Sequence, residues 1–372
     1  MTSSRAFGSG NNASSRRSMA EGKSGSFDPM LRKLIVILGA GASHGARDGH
    51  APPLGKDLLH HLDRYLHLVE HEATLNSSGL PFREDGEMCK LRCLLNTGKE
   101  HHWTHEQLID HELRKHDPYN ESLSLLNRLL VAAFSPPPLA YDPPIPRLDQ
   151  AFTDRPDLYD HFLQRLRLKG LDSRNLTFIT LNYDLLLEQA LLRAGDAYDY
   201  FLPGHNRIQA CSLLKIHGSI NWWGNFGPFR QLQQGEPVPY DLTLTTLGKD
   251  YKNIRVEKDP YDACIAVDTG DPIIAHYAQG KPAYVNARTL AGIRREAAAE
   301  CTAAAEALII GVHPPVSPRE DETLWEMFTS LKARQVPTRY VGLPPDTDTV
   351  AEVWRFQPVS MTFRDFVRKE LA

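Results

Sequence analysis

Leu34-Ile35-Val36-Ile37-Leu38 is a continuous apolar run with β-branched residues at its centre, and it ends in Gly39-Ala40-Gly41-Ala42-Ser43. A run that is apolar at every position leaves no wet face, so it predicts a buried parallel strand leading into a glycine turn. The same shape recurs three times. Residues Leu176–Thr180 lead into Leu181-Asn182-Tyr183-Asp184, Leu213–Ile216 into His217-Gly218-Ser219, and Ala307–Ile310 into Gly311-Val312-His313-Pro314. Arg339–Gly342 is a fifth candidate. Each run ends in polar residues or glycine. In an open parallel sheet the carboxyl ends share one edge, which is where such folds bind ligands. Four such ends converging there point to a site.

Helical periodicity fills the intervals. Leu58, Leu59, Leu62, Leu66 and Val69 predict a helix over about 57–74. Further helices are expected from Thr104 to about Lys115, Ser122 to Phe134, Asp157 to about Leu168, Leu185 to Leu192, and Ala287 to Ala305. A closing helix at 361–371 would bury Phe363, Phe366, Val367 and Leu371. The stretch 56–170 therefore reads as mostly helical, interrupted by Ser135-Pro136-Pro137-Pro138 and Tyr141–Pro146. It is too long for one crossover helix and predicts a helical insertion beside the sheet. Residues 225–262, rich in Pro, Gly, Gln and Asp, read as an irregular excursion near the binding edge. The fold class is α/β: a Rossmann-like, mostly parallel sheet with helices on both faces and a helical insertion.

Composition narrows the picture. In 372 residues, 42 Lys and Arg face 46 Asp and Glu, for a net charge of −4. A balance so near neutral provides no general basic field, which removes support for direct nucleic-acid binding. Five cysteines in a chain of this length argue for a reducing compartment rather than a disulfide framework. No apolar run approaches the roughly 20 residues that span a bilayer. Met1 to about Phe27 is rich in Ser, Gly, Asn and Arg, and reads as a disordered tail. Arg16-Arg17 lacks the following apolar stretch of an export signal. The expectation is a soluble, cytoplasmic protein with no membrane contact.

The strand ends carry the candidate chemistry. Gly39-Ala40-Gly41 resembles the start of a dinucleotide-binding turn, yet the third glycine, Gly45, comes one place late, and no acidic residue closes a second strand about 20 residues on. A structural strand–helix turn is the competing account. In Thr180-Leu181-Asn182-Tyr183-Asp184, alternation turns Thr180, Asn182 and Asp184 to one side. Asp184 also suits a helix cap, whereas one cap does not need two such residues, leaving Asn182 for chemistry. Lys215-Ile216-His217-Gly218-Ser219 places a histidine at a strand end, with a glycine that would let a ligand approach. Two metal sites are conceivable: His67-Leu68-Val69-Glu70-His71 matches an inverted zinc-peptidase pattern, and Cys89 and Cys93 precede His101, His102 and His105. Both spacings serve equally as faces of ordinary helices.

Taken in order, Gly39-Ala40-Gly41-Ala42-Ser43, Thr180-x-Asn182-x-Asp184 and His217-Gly218-Ser219 resemble the sirtuin superfamily. More narrowly, they are similar to the bacterial sirtuin-like NAD+ hydrolases of antiphage defence, which carry an asparagine-tyrosine-aspartate triplet and a lysine-x-histidine-glycine-serine segment. The resemblance spans roughly 31–345. It implies one NAD-binding domain over 28–372, with the insertion at about 56–170. Asn182 and His217 would be catalytic. Gly39, Ala40, Gly41, Ser43, Thr180, Asp184, Gly218, Ser219 and Gly311 would bind the dinucleotide. Three departures separate the chain from protein-deacetylating sirtuins. Cys89, Cys93, Cys211, Cys264 and Cys301 form no CxxC pair of a structural zinc. Ala51-Pro52-Pro53-Leu54-Gly55-Lys56 stands in place of the glycine-isoleucine-proline-aspartate-phenylalanine-arginine segment, and Leu181 in place of a glutamine.

The resemblance thus implies an NAD+ glycohydrolase with NAD+ as substrate, no metal, a homo-oligomeric assembly and a regulatory partner such as a ring ATPase. The alternatives on the same fold are an NAD+-dependent protein deacylase or ADP-ribosyltransferase, and a non-catalytic NAD+ or ADP-ribose sensor.

Overall fold

The computed structural model describes residues 33–46, 55–75, 85–114, 121–135, 157–202, 210–224, 254–257, 260, 272–274 and 287–371, all within the unit Arg32–Ala372. The expected tail, the proline stretches at 136–138 and 141–146, and most of the 225–262 excursion lie outside the described residues.

Strand β1 (Leu34–Leu38) is followed by helices α1 (Ala40–Ala46), α2 (Gly55–Leu75), α3 (Asp85–Glu100), α4 (His105–Arg114), α5 (Glu121–Phe134) and α6 (Leu158–Leu168). Then come β2 (Leu176–Thr180), α7 (Leu186–Arg193), β3 (Tyr198–Asp199), β4 (Cys211–Lys215), β5 (Gly218–Gly224), β6 (Ile254–Val256) and β7 (Pro272–Ile274). The chain closes with α8 (Ala287–Ala303), β8 (Glu306–Ile310), α9 (Glu322–Ala333), β9 (Thr338–Gly342), α10 (Asp346–Thr349), β10 (Gln357–Ser360) and α11 (Phe363–Lys369).

Seven strands form one sheet in the order β10-β9-β8-β1-β2-β4-β3, and every neighbouring pair is parallel. This is the α/β class expected from the apolar runs, and the five predicted strands all lie in this sheet. All five residues of β1 are buried, because strands pair on both edges and helices cover both faces. Leu38 pairs with Thr180 on one side and with Ile310 on the other. From β1 the chain proceeds first to β2 and only later to β8, so the strand order reverses between β1 and β8. That reversal opens a crevice at the strands' carboxyl ends.

A second, antiparallel sheet, β6-β5-β7, was not expected. Its central strand, Gly218–Gly224, is buried at every position. Its opening Gly-Ser reads as loop chemistry, and its partners lie 30 residues or more downstream, beyond the reach of local periodicity.

Two apolar clusters divide the helices. The larger joins the main sheet to Tyr159, Phe162, Leu163 and Leu166 of α6 and to Phe363, Phe366 and Val367 of α11. The second holds Leu58, Leu59, Leu62, Leu95, Leu108, Leu126 and Leu129 of α2–α5 with Ile220, Trp223 and Ile274 of the small sheet. Helix α6 begins in a capping box. The Asp157 carboxylate accepts from the Tyr159 and Asp160 amides, while Asp160 accepts from the Asp157 amide. The Arg193 guanidinium lies 2.6 Å from Asp160 and 3.2 Å from Asp157, locking α6 to α7 and fixing Tyr159 at the helix start.

Candidate functional site at the carboxyl edge of the sheet

At the crevice the two central strand ends are tied to each other. The Gly39 amide donates to the Ile310 carbonyl and the Gly41 amide to the Gly311 carbonyl, both at 3.0 Å. A Cβ on Gly39 would overlap the Gly311 carbonyl, and Gly311, at φ 60°, would drive one into the Ala42 amide. These two glycines are therefore required by the contact of one loop with another, which is the structural side of the alternative left open above. Ala40 remains exposed, and Gly41 and Gly311 half-buried, on the surface of the crevice.

Asn182 is locked onto that turn. Its side-chain amide donates to the Gly39 carbonyl at 2.9 Å and to Ser43 Oγ at 2.8 Å. Both amide hydrogens are thus committed to the turn, and the side chain's remaining polar atom, Oδ1, is an acceptor. Ser43 in turn shares a hydrogen bond with the Tyr159 hydroxyl at 3.1 Å. Burial, with Asp184 adding to it, pushes the Tyr159 hydroxyl well above its ordinary range, so it remains a protonated phenol. Thr180 Oγ1 accepts from the Asn182 amide at 3.1 Å. Asp184 Oδ1 accepts from the Leu186 amide at 3.0 Å, an Asx turn just ahead of the Leu185 N-cap of α7. The two therefore shape the Asn182 turn from either side.

His217, between β4 and β5, is buried on the same edge. Its Nε2 lies 3.7 Å from Asp321 Oδ2, and its ring centroid 6.5 Å from that of Tyr183. Asp321 caps α9 by accepting from the Leu324 amide at 2.9 Å, and its Oδ2 is buried with no hydrogen-bond partner among the described residues. Arg294 of α8 donates through Nε to the Ile216 carbonyl at 3.0 Å. Burial, with Arg294 beside it, pushes the His217 imidazole down to about 3, although a hydrogen bond with the Leu181 backbone pulls the other way. Burial raises the Asp321 carboxyl. Desolvation is the largest cause of both shifts. The ring is neutral at physiological pH.

Gly218 and Ser219 both meet the protein's own backbone. Gly218 has φ 84°, and the space of its missing Cβ is taken by the Ile273 carbonyl of β7 rather than by a ligand approach. Ser219 is fully buried, with Oγ 3.5 Å from the Tyr183 carbonyl. His313, by contrast, is exposed and pairs with Asp346 at 2.9 Å.

The depressed histidines make stability pH-dependent. His217 and His105, the latter pushed down by burial to about 4, are neutral when folded and ionise near 6.5 when unfolded. Below pH 6.5 the unfolded chain binds more protons, so stability falls as pH drops towards the folded values. For His217 the loss from pH 7.5 to 5 is about 2 kcal/mol at about 1.36 kcal/mol per pH unit. Thermal melts over that range are expected to decline less steeply in His217→Gln than in the parent.

Tyr159, Arg294 and Asp321 carried no strand-end signal and are site residues that sequence reasoning missed. Only Asp321 could have been found, as an acidic residue at the start of a helical segment. Of the metal patterns, His67 lies beside Asp63 and Glu70, Glu70 pairs with Arg92, and Cys89 and Cys93 are exposed free thiols on α3. His101 stacks on Trp103 at 4.6 Å. Among the described residues no group of three or more His, Cys, Asp or Glu is placed to hold a metal, and no helix is long and apolar enough to cross a membrane.

A parallel α/β sheet with polar side chains gathered at its switch point defines the class. Residues 176–260 match the SIR2-like domain family, which supports a member of the sirtuin-like superfamily. The matched span holds Asn182, Asp184, His217 and Ser219. Among solved structures the chain is similar to a Sir2 in complex with an inhibitor, 2′-O-acetyl-ADP-ribose and a deacetylated p53 peptide. Identity there is 12%, with 91% of this chain and 92% of the other covered, at a TM-score of 0.38. A Sir2 homologue in complex with NAD is 13% identical over 91% of each chain, at a TM-score of 0.36. No curated protein matches the chain.

Proposed function

We propose that the protein is an NAD+ glycohydrolase that cleaves the bond between nicotinamide and ribose, and that it depletes NAD+ in antiphage defence. The observation that carries this is the pairing, on one sheet edge within the SIR2-like span, of a locked Asn182 with a neutral, buried His217. In the reaction the C1′–N bond breaks and its electron pair goes to the ring nitrogen. The cationic pyridinium thereby becomes a neutral base, so the leaving group needs no proton. The ribose passes through an oxocarbenium-like state, as in glycoside cleavage generally. Water adds its oxygen to C1′, oriented by Asn182 Oδ1, and gives its proton to His217. Asp321, 3.7 Å away, stabilises the imidazolium that forms. Ala40, Gly41 and Gly311 present the crevice surface on which the dinucleotide would lie.

Hydrolysis is favoured over acyl-lysine chemistry because the chain lacks CxxC pairs and has Leu181 beside Asn182. A constitutive NAD+ hydrolase would harm its host, so restraint by a homo-oligomer or by a partner such as a ring ATPase belongs to this proposal, as does a cytoplasmic location. Purified protein incubated with NAD+, with and without an acyl-lysine peptide, tests the reading. Nicotinamide release independent of the peptide is expected. Release that requires the peptide would instead favour a deacylase, and tight binding without release would favour a sensor.

A further inference from the structure

Lys215 ends β4 with its side chain completely buried. Its ammonium has three donors and three acceptors around it: Glu188 Oε1 at 2.6 Å, the Asp184 carbonyl at 2.5 Å and the Tyr183 carbonyl at 3.5 Å. Glu188, on α7, also accepts from the Tyr200 hydroxyl at 3.0 Å, and that hydroxyl accepts from Asn221 Nδ2 at 3.3 Å. Glu188, Tyr200 and Asn221 are all buried. Burial raises the Glu188 carboxyl against the pull of Lys215.

Such a pair is a poor device for stability alone, because apolar residues of similar volume in its place are often neutral or better. What apolar residues could not do is hold two backbone carbonyls. Those carbonyls belong to the turn that carries Asn182, and Lys215 stands two residues before His217 on its own strand. We propose that Lys215, seated by Glu188, is a positioning residue that clamps the Tyr183–Asp184 backbone and so fixes Asn182 against His217.

The turnover arm rests on the hydrolase reading above; a second arm does not. The double variant Lys215→Met/Glu188→Leu removes both charges together, and so avoids the unpaired buried charge that either single change to an apolar residue would leave. Its kcat is expected to fall by about 100-fold, the scale of a misplaced reacting group, while KM changes little. Independently of activity, backbone amides of 182–186 should exchange with deuterium faster than in the parent. Parental exchange in that segment, with the double variant folded, overturns the proposal. A parent that releases no nicotinamide sinks the hydrolase reading, and the exchange arm still decides the clamp. If the double variant does not fold, Glu188→Gln, which keeps the lysine and its carbonyl contacts, must lose less kcat than Lys215→Met. An equal or larger loss overturns the clamp.

Discussion

Replacing His217 with alanine is expected to lower nicotinamide release from NAD+ by roughly 10²–10⁴-fold, the contribution of a positioned proton acceptor. The ring sits buried at the end of β4 with Nε2 towards Asp321, and nothing else described on that edge combines a neutral lone pair with a carboxylate behind it. Its low basicity has a clear origin in burial and Arg294. The attacking water becomes strongly acidic only as its oxygen bonds to the cationic C1′, and that is the moment at which its proton passes to the ring. His217→Gln separates chemistry from packing. It fills most of the same space, so its melting temperature should stay near the parent's while its turnover falls as far as the alanine variant's. Turnover in His217→Gln within a few-fold of the parent would remove His217 from the proton transfer.

The largest effect on stability is expected at Gly218. Its φ of 84° lies in the left-handed region, and a Cβ there would meet the Ile273 carbonyl and Cα of Ile274, backbone atoms with no rotamer to change. Gly218→Ala should combine about 1–2 kcal/mol of left-handed strain with about 1–3 kcal/mol of overpacking. Gly195, at φ 73° with open space around it, supplies the control: Gly195→Ala carries the strain without the collision. Chemical denaturation of both variants measures the difference. If Gly218 instead served ligand approach, its alanine variant would raise KM and leave stability no worse than Gly195→Ala does.

The parallel sheet was legible because each of its long strands is a short apolar run punctuated by glycine or a polar residue, a signal that is local and needs no partner. The same locality hid the small sheet. Strand Gly218–Gly224 begins with residues that look like loop chemistry, and Trp222 and Trp223 are buried against strands that lie far off in sequence. Asn182 and His217 were found because they stand at strand ends. Tyr159, Arg294 and Asp321 reach the same edge from helices whose periodicity reports packing and gives no hint of where a helix end will dock. At Gly218 and Gly311 the space of the missing Cβ is filled by the protein's own backbone, a packing demand that no sequence pattern distinguishes from a binding turn. Helix α6 shows the converse case, since Asp157 and Asp160 announce its start plainly, yet nothing in them foretells that Tyr159 will meet Ser43.

Whether this edge hydrolyses NAD+, as proposed, is read from its products. The most direct measurement is the product balance of purified parent protein and Asn182→Ala, with NAD+ as the only added substrate and its products separated by chromatography. Equal amounts of nicotinamide and ADP-ribose are expected from the parent, and none above background from a folded Asn182→Ala. Equal release by both proteins, or nicotinamide release matched by ADP-ribosylated protein instead of free ADP-ribose, would contradict it.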